Sequence, residues 1–246
     1  MTYFLTSSPF GVGSPYLNPA NHFISLLRKE LRCPCAAVFV CSTPDRHDLT
    51  VRFAGDMQRA LEAAGFSFSS FDVLDGLNAQ DAAALVKNAG LVVLAGGHVP
   101  TQNAFFQKAK LREAIKDFNG VLIGISAGSM NSADVVYAQP EEPGEAVSPD
   151  YRRFLPGLGV TKTNLLPHYQ MVKDHILDGM RLFEDITFPD SVGYDFYVFP
   201  DGSFLLGKNG EETVFGEAYC IQDGTMRQIC REGEAYPLNT SLDHHG

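Results

Sequence analysis

Val121-Leu122-Ile123-Gly124-Ile125-Ser126-Ala127-Gly128-Ser129-Met130 is the stretch on which the fold turns: a short apolar run, a serine between two glycines, and small residues able to begin a helix. A strand that bends sharply into a helix needs very small residues two before and two after the tip. Gly124 and Gly128 occupy those places. The residue at the tip, Ser126, would then hold its hydroxyl clear of the backbone at the edge of a sheet.

Outward from this turn, strand and helix patterns alternate. Cys35–Cys41, Phe66–Val73 and Leu91–Ala95 are apolar segments of strand length. Between them lie helical stripes: Asn18-Pro19 opens one that runs to about Leu31, a second follows from Asp48 to Gly65, and an alanine-rich third spans Asn78–Asn88. A fourth is predicted from about Gln102 to Phe118. Such alternation implies an α/β fold of flavodoxin-like, doubly wound type, with a mainly parallel sheet covered on both faces. After Ser126 the pattern changes. Tyr137–Pro156 is rich in Pro, Gly and acidic residues and suits a loop. Beyond Ser191, Pro200-Asp201-Gly202, Lys208-Asn209-Gly210 and Asp223-Gly224 are hairpin-turn signals, so a C-terminal β meander is expected. The economical division is one domain over residues 1–238 followed by a fraying tail, Asn239–Gly246.

Composition narrows the partners. With 246 residues, 45% of them hydrophobic, the chain can bury a substantial core without cross-links, and its five cysteines are expected to be reduced. Cys33-Pro34-Cys35 lacks the spacing of a metal or redox pair. A formal net charge of -10 disfavours nucleic acid and acidic membrane surfaces. No apolar run approaches the roughly 20 residues that span a bilayer, and no secretory leader is evident, so the default expectation is a cytoplasmic protein acting on a small molecule or peptide. No metal or organic cofactor is indicated; a homodimer is admitted but not required.

Serine at its ordinary pKa is a poor nucleophile and needs a neighbouring base, for which histidine is best suited near neutrality. Of seven histidines, His168 ranks first: Asn164-Leu165-Leu166-Pro167-His168 puts it just beyond an apolar strand, where open α/β sheets gather functional groups. An oxyanion needs two preorganised donors; the Ala127 N–H is one and the Gly97 N–H, after the strand ending at Gly96-Gly97, is the other. His98 follows and could line the pocket. Spacing alone does not choose the carboxylate behind His168 among Asp134, Glu141, Glu142, Glu145, Asp150 and Asp201.

Taken in order, Gly96-Gly97, Gly124-x-Ser126-Ala127-Gly128, Asn164-x-x-Pro167-His168 and Pro200-Asp201-Gly202 resemble the peptidase E family of aspartyl dipeptidases and the related cyanophycinases, over nearly the whole chain. The resemblance implies a class I glutamine-amidotransferase-like fold with serine in place of cysteine, and a serine peptidase acting on small peptides, in the best-known members after an N-terminal aspartate. Cyanophycinase-like or isoaspartyl cleavage, or ligand binding without turnover, are the alternatives. On this resemblance Ser126 is the nucleophile, His168 the base, Gly97 and Ala127 the oxyanion donors, Glu141 the third triad member, Asp201 an auxiliary carboxylate, and Arg181 the partner of the substrate carboxylate.

Overall fold

A computed structural model describes residues 1–238; the expected tail, Asn239–Gly246, lies outside the described residues. The strands of the N-terminal half are β1 (Thr2–Thr6), β2 (Cys35–Val40), β3 (Phe68–Leu74), β4 (Leu91–Leu94) and β5 (Val121–Ile125). Shorter ones follow: β6 (Val135–Tyr137), β7 (Phe154–Pro156), β8 (Asn164–Leu166), β9 (Ile176–Leu177) and β10 (Met180–Arg181). The C-terminal strands are β11 (Asp195–Val198), β12 (Phe204–Lys208), β13 (Glu211–Phe215), β14 (Ala218–Gln222), β15 (Thr225–Cys230) and β16 (Ala235–Leu238). The helices are α1 (Phe23–Glu30), α2 (His47–Ala63), α3 (Ala82–Asn88), α4 (Val99–Lys108), α5 (Leu111–Ile115), α6 (Ala127–Met130), α7 (Tyr169–Val172) and α8 (Phe188–Asp190).

The main sheet runs β16-β13-β12-β1-β5-β4-β2-β3. Its β1, β5, β4, β2 and β3 are parallel, and β12, β13 and β16 extend it antiparallel. Both faces are covered, as the near-continuous apolar strands require. Phe23 and Leu27 of α1 with Ala54, Met57 and Leu61 of α2 close one face. Val86 of α3, Phe105 and Phe106 of α4 and Ile115 of α5 close the other. This is the doubly wound arrangement that the alternating pattern implies.

Local differences from the sequence reading have physical causes. The helix expected over Gln102–Phe118 is two helices, α4 and α5, broken where Lys110 takes a left-handed backbone, φ 51°. Strand β1 carries no strong signal of its own, being five residues with threonine at both ends, yet β5 and β12 flank it on either side. The C-terminal hairpins form at Asn209-Gly210 and Asp223-Gly224. They are shared between sheets, because β14 and β15 join β11 and β8 in a second, four-stranded sheet. Pro200-Asp201-Gly202 therefore joins no hairpin: β11 before it and β12 after it belong to different sheets.

The close fit of the Ser126 turn explains its glycines. A Cβ on Gly128 would lie 2.4 Å from the Leu94 carbonyl oxygen, and one on Gly124 would lie 2.9 Å from Cα of Ser129. Contacts that short against backbone cannot be relieved by a rotamer change. Gly128→Ala should therefore cost about 1–3 kcal/mol, or roughly 2–10 °C in Tm. An unchanged melting temperature would mean that α6 is not seated against β4.

Candidate active site

Ser126 sits between β5 and α6 with φ 49° and ψ -113°, a sparsely populated conformation of the kind that holds a side chain out of a sharp turn. Its N–H reaches the Thr6 and Ser7 carbonyls at 3.0 and 3.2 Å, tying the turn to the end of β1. Ser129, one helical turn on, donates its hydroxyl to the Thr6 carbonyl at 2.8 Å. The strain at Ser126 is thus held by bonds from two directions.

The second sheet brings up the partners. β8 and β11 pair in parallel with Leu166 opposite Val198, and Phe199 N–H bonds to the Leu166 carbonyl while Tyr169 N–H bonds to that of Phe199. The chain then releases His168 and Asp201 from neighbouring strand ends, as open α/β sheets do at their functional edge. His168 Nε2 lies 2.9 Å from Ser126 Oγ, and its Nδ1 lies 2.7 Å from Asp201 Oδ1. The ring is therefore oriented by a carboxylate on one side and presented to a hydroxyl on the other.

That carboxylate is Asp201 and not Glu141. Glu141 makes no hydrogen bond to His168; it stands on the acidic loop, its N–H bonded to Glu145 Oε2 at 2.8 Å. Burial alone would raise the Asp201 carboxyl, but hydrogen bonds from His168, Ser7 and Gln170 outweigh it and hold the group below its ordinary value. The Ser7 hydroxyl donates to Asp201 at 2.6 Å and accepts from the His168 N–H at 2.7 Å. Gln170 Nε2 donates to the other carboxylate oxygen at 2.7 Å, and its Oε1 accepts the Asp201 N–H at 3.0 Å. Neither Ser7 nor Gln170 is foreseeable from sequence: Ser7 belongs to the site only because β1 does, and β1 is not legible.

The two backbone donors lie where the sequence reading puts them along the chain. Among the described residues neither the Gly97 nor the Ala127 N–H has a hydrogen-bond partner, which leaves both free to serve an anion. Gly97 is required by contact: a Cβ there would fall 2.5 Å from both Cβ and Oγ of Ser42. A Cβ on Gly96 would lie 3.3 Å from Cβ of Ser126, so the turn abuts the serine. Behind it, buried Gln102 donates to the Ala95 carbonyl at 2.7 Å and accepts from Asn131 at 3.1 Å, joining α4 to α6.

His98 faces the acidic loop, with Nδ1 2.8 Å from Thr101 Oγ1 and Nε2 2.8 Å from Glu145 Oε1. Burial would raise the Glu145 carboxyl, but the N–H groups of Glu142 and Glu141 and the His98 ring hold it low. His98, Glu142 and Glu145 offer donor atoms within 4.8 Å of one another, the metal-compatible grouping found among the described residues. Arg181 does not meet the expectation of a substrate contact. Its guanidinium forks onto Asp185 at 2.6 and 3.0 Å on an exposed turn, and no contact joins it to Ser126, His168 or Asp201.

The solved structure of a peptidase from an acI-B1 Actinobacterium matches over 96% of this chain and 96% of its own, with a TM-score of 0.65 and 19% identity. A candidate Peptidase E protein from Listeria monocytogenes EGD-e matches over 93% of this chain and 98% of its own, with a TM-score of 0.58 and 15% identity. The chain shares the α/β fold of these two proteins. No family model matches the sequence, and no curated protein matches it.

Glu141 supplies a test of the local electrostatics. Removal of solvent by the surrounding protein, together with like charge from Glu145 and Glu142, outweighs the attraction of His98 and His168 and pushes its carboxyl up to about 7, although the side chain keeps an exposed face. A carboxyl raised from 4.5 to about 7 ionises later in the folded chain than in the unfolded one. Its penalty is therefore absent well below pH 4.5, grows between the two values and is constant above them. Glu141→Gln should leave Tm unchanged at about pH 4 and raise it progressively toward about pH 7.5. Solvent screening of an exposed group keeps the gain to about 1 kcal/mol or less, roughly 2–4 °C. A gain that does not vary with pH would contradict this assignment.

Proposed function

We propose that the chain is a serine-type hydrolase of small peptides, working through Ser126, His168 and Asp201 and an acyl-enzyme. The observation that carries the reading is the continuous relay from Ser126 Oγ to His168 Nε2 at 2.9 Å and from His168 Nδ1 to Asp201 Oδ1 at 2.7 Å. Peptides are favoured as substrates because the fold is that of proteins named as peptidases.

In this reading Ser126 Oγ attacks the scissile carbonyl as His168 Nε2 takes its proton, and Asp201 keeps the ring in the required tautomer and steadies the imidazolium. The carbonyl oxygen, now negative, accepts from the Gly97 and Ala127 N–H groups; one such donor is typically worth about 3–4 kcal/mol. His168 then returns the proton to the leaving amine, freeing it and leaving an ester on Ser126. Water deprotonated by the same imidazole hydrolyses that ester. Ser7 and Gln170 keep Asp201 ionised and aimed, so their part is positioning. The free N–H pair favours turnover over passive binding, which requires no donors at a developing charge.

A fluorophosphonate should attach to Ser126 and to no residue of Ser126→Ala. Asp201→Asn should slow labelling and peptide hydrolysis by about 10³–10⁴-fold, because the ring then loses its acceptor and tautomer. Glu141→Gln should slow them less than about tenfold. Equal losses in the two variants would restore Glu141 to the triad, and full activity in Ser126→Ala would end the proposal.

A further inference from the structure

Beside the Gly96-Gly97 turn lies a cavity of about 610 Å³ at the C-terminal ends of the parallel strands, where α/β sheets hold their ligands. Ala95, Gly96 and Ile125 form its wall toward the site, so it begins one residue before Gly97 and one residue before Ser126. Most of the rest is apolar: Phe10 and Tyr16 come from the loop after β1, Phe39 from β2, and Phe53 and Met57 from α2. Phe39 and Met57 are buried at 3% and 1% exposure, while Phe53 at 40% and Tyr16 at 62% stand open to solvent. A buried apolar floor with exposed aromatic side chains beside it is the kind of concave, mostly apolar surface that binds small ligands.

Charge excludes one class of occupant. Asp56 and Arg59 are the charged residues of the lining, and they pair with each other one helical turn apart on α2. Arg181 is committed to Asp185 and does not line the cavity, nor does Arg52, whose guanidinium lies 5.2 Å from the Phe53 ring. An aspartyl carboxylate placed here would lose its water and find no unpaired cation, which is costly.

We propose that this cavity is the specificity subsite of the Ser126 site and takes a large apolar side chain, such as Phe, Leu or Met, flanking the scissile bond. The inference rests on the hydrolase reading above and departs from the aspartyl preference that the sequence resemblance implies. Phe53 and Tyr16 are its specificity-determining residues, because they are the exposed aromatic side chains of the lining and come from two elements, α2 and the loop after β1. Burying a phenylalanine-sized group is worth roughly ten- to a hundred-fold in affinity, and discrimination between apolar side chains in such pockets has a similar range.

The test uses Phe-Ala, Ala-Phe, Asp-Ala and Ala-Ala, with kcat/KM measured on the native chain and binding measured by calorimetry on Ser126→Ala. At least one phenylalanine dipeptide should exceed both Ala-Ala and Asp-Ala by tenfold or more, and the position of its phenylalanine tells which side of the bond the cavity serves. Phe53→Asp and Tyr16→Asp, both at exposed positions, should each reduce that ratio at least fivefold. Asp-Ala equal to or better than both phenylalanine dipeptides, or a ratio unmoved by both variants, overturns the proposal. If no dipeptide is turned over and no fluorophosphonate attaches, the hydrolase reading fails by itself. The calorimetry still decides the cavity: tighter binding of a phenylalanine dipeptide that Phe53→Asp abolishes supports it, and equal binding of all four dipeptides rejects it.

Discussion

The His168 imidazole joins two sheets that share no strand. On one side is the Ser126 turn, which closes the parallel β1-β5-β4 run; on the other is Asp201, which leaves the end of β11. Both bonds depend on the parallel register of β8 with β11, since Leu166 opposite Val198 brings the following residues of each strand side by side. His168 itself takes a left-handed backbone, φ 59°, and its N–H is held by Ser7. Such strain persists only where surrounding structure over-determines it, and here it is tied from β1, β8 and β11 at once.

Charge is divided within the site. Asp201 is held ionised by three hydrogen-bonded side chains, whereas Glu141, with no such donors, is pushed toward its neutral form. Two carboxyl groups in different settings are thereby set to different proton affinities, and only the one with donors can orient an imidazole through the neutral range. Glu145 has a third role. Its carboxylate receives the Glu141 and Glu142 N–H groups and the His98 ring, so it fastens the acidic loop to the segment after Gly97.

Much of this was legible in the residues themselves. The β5 strand, Gly124, Ser126 and Gly128 announce a strained turn because packing permits little else there, and the alternating pattern of the first 125 residues yields the doubly wound sheet. His168 could be found because an apolar strand precedes it. What could not be found depends on pairing across long stretches of sequence. Asp201 looks like the middle of a hairpin, and only the division of β11 and β12 between two sheets turns it toward His168. Ser7 follows a strand too short and too polar at its ends to declare itself. Arg181 has the right chemistry for a carboxylate, and Asp185 four residues on has already taken it. The cavity draws Phe10, Phe39, Phe53 and Ile125 from four separate elements, so no local pattern contains it.

The most direct measurement of the central claim is the mass of the intact chain quenched within milliseconds of mixing with a p-nitrophenyl ester. The account predicts a stoichiometric burst of nitrophenol, an added acyl mass located on the peptide containing Ser126, and loss of both in His168→Ala. Turnover without a burst or an acylated chain, or an adduct on any other residue, would contradict it.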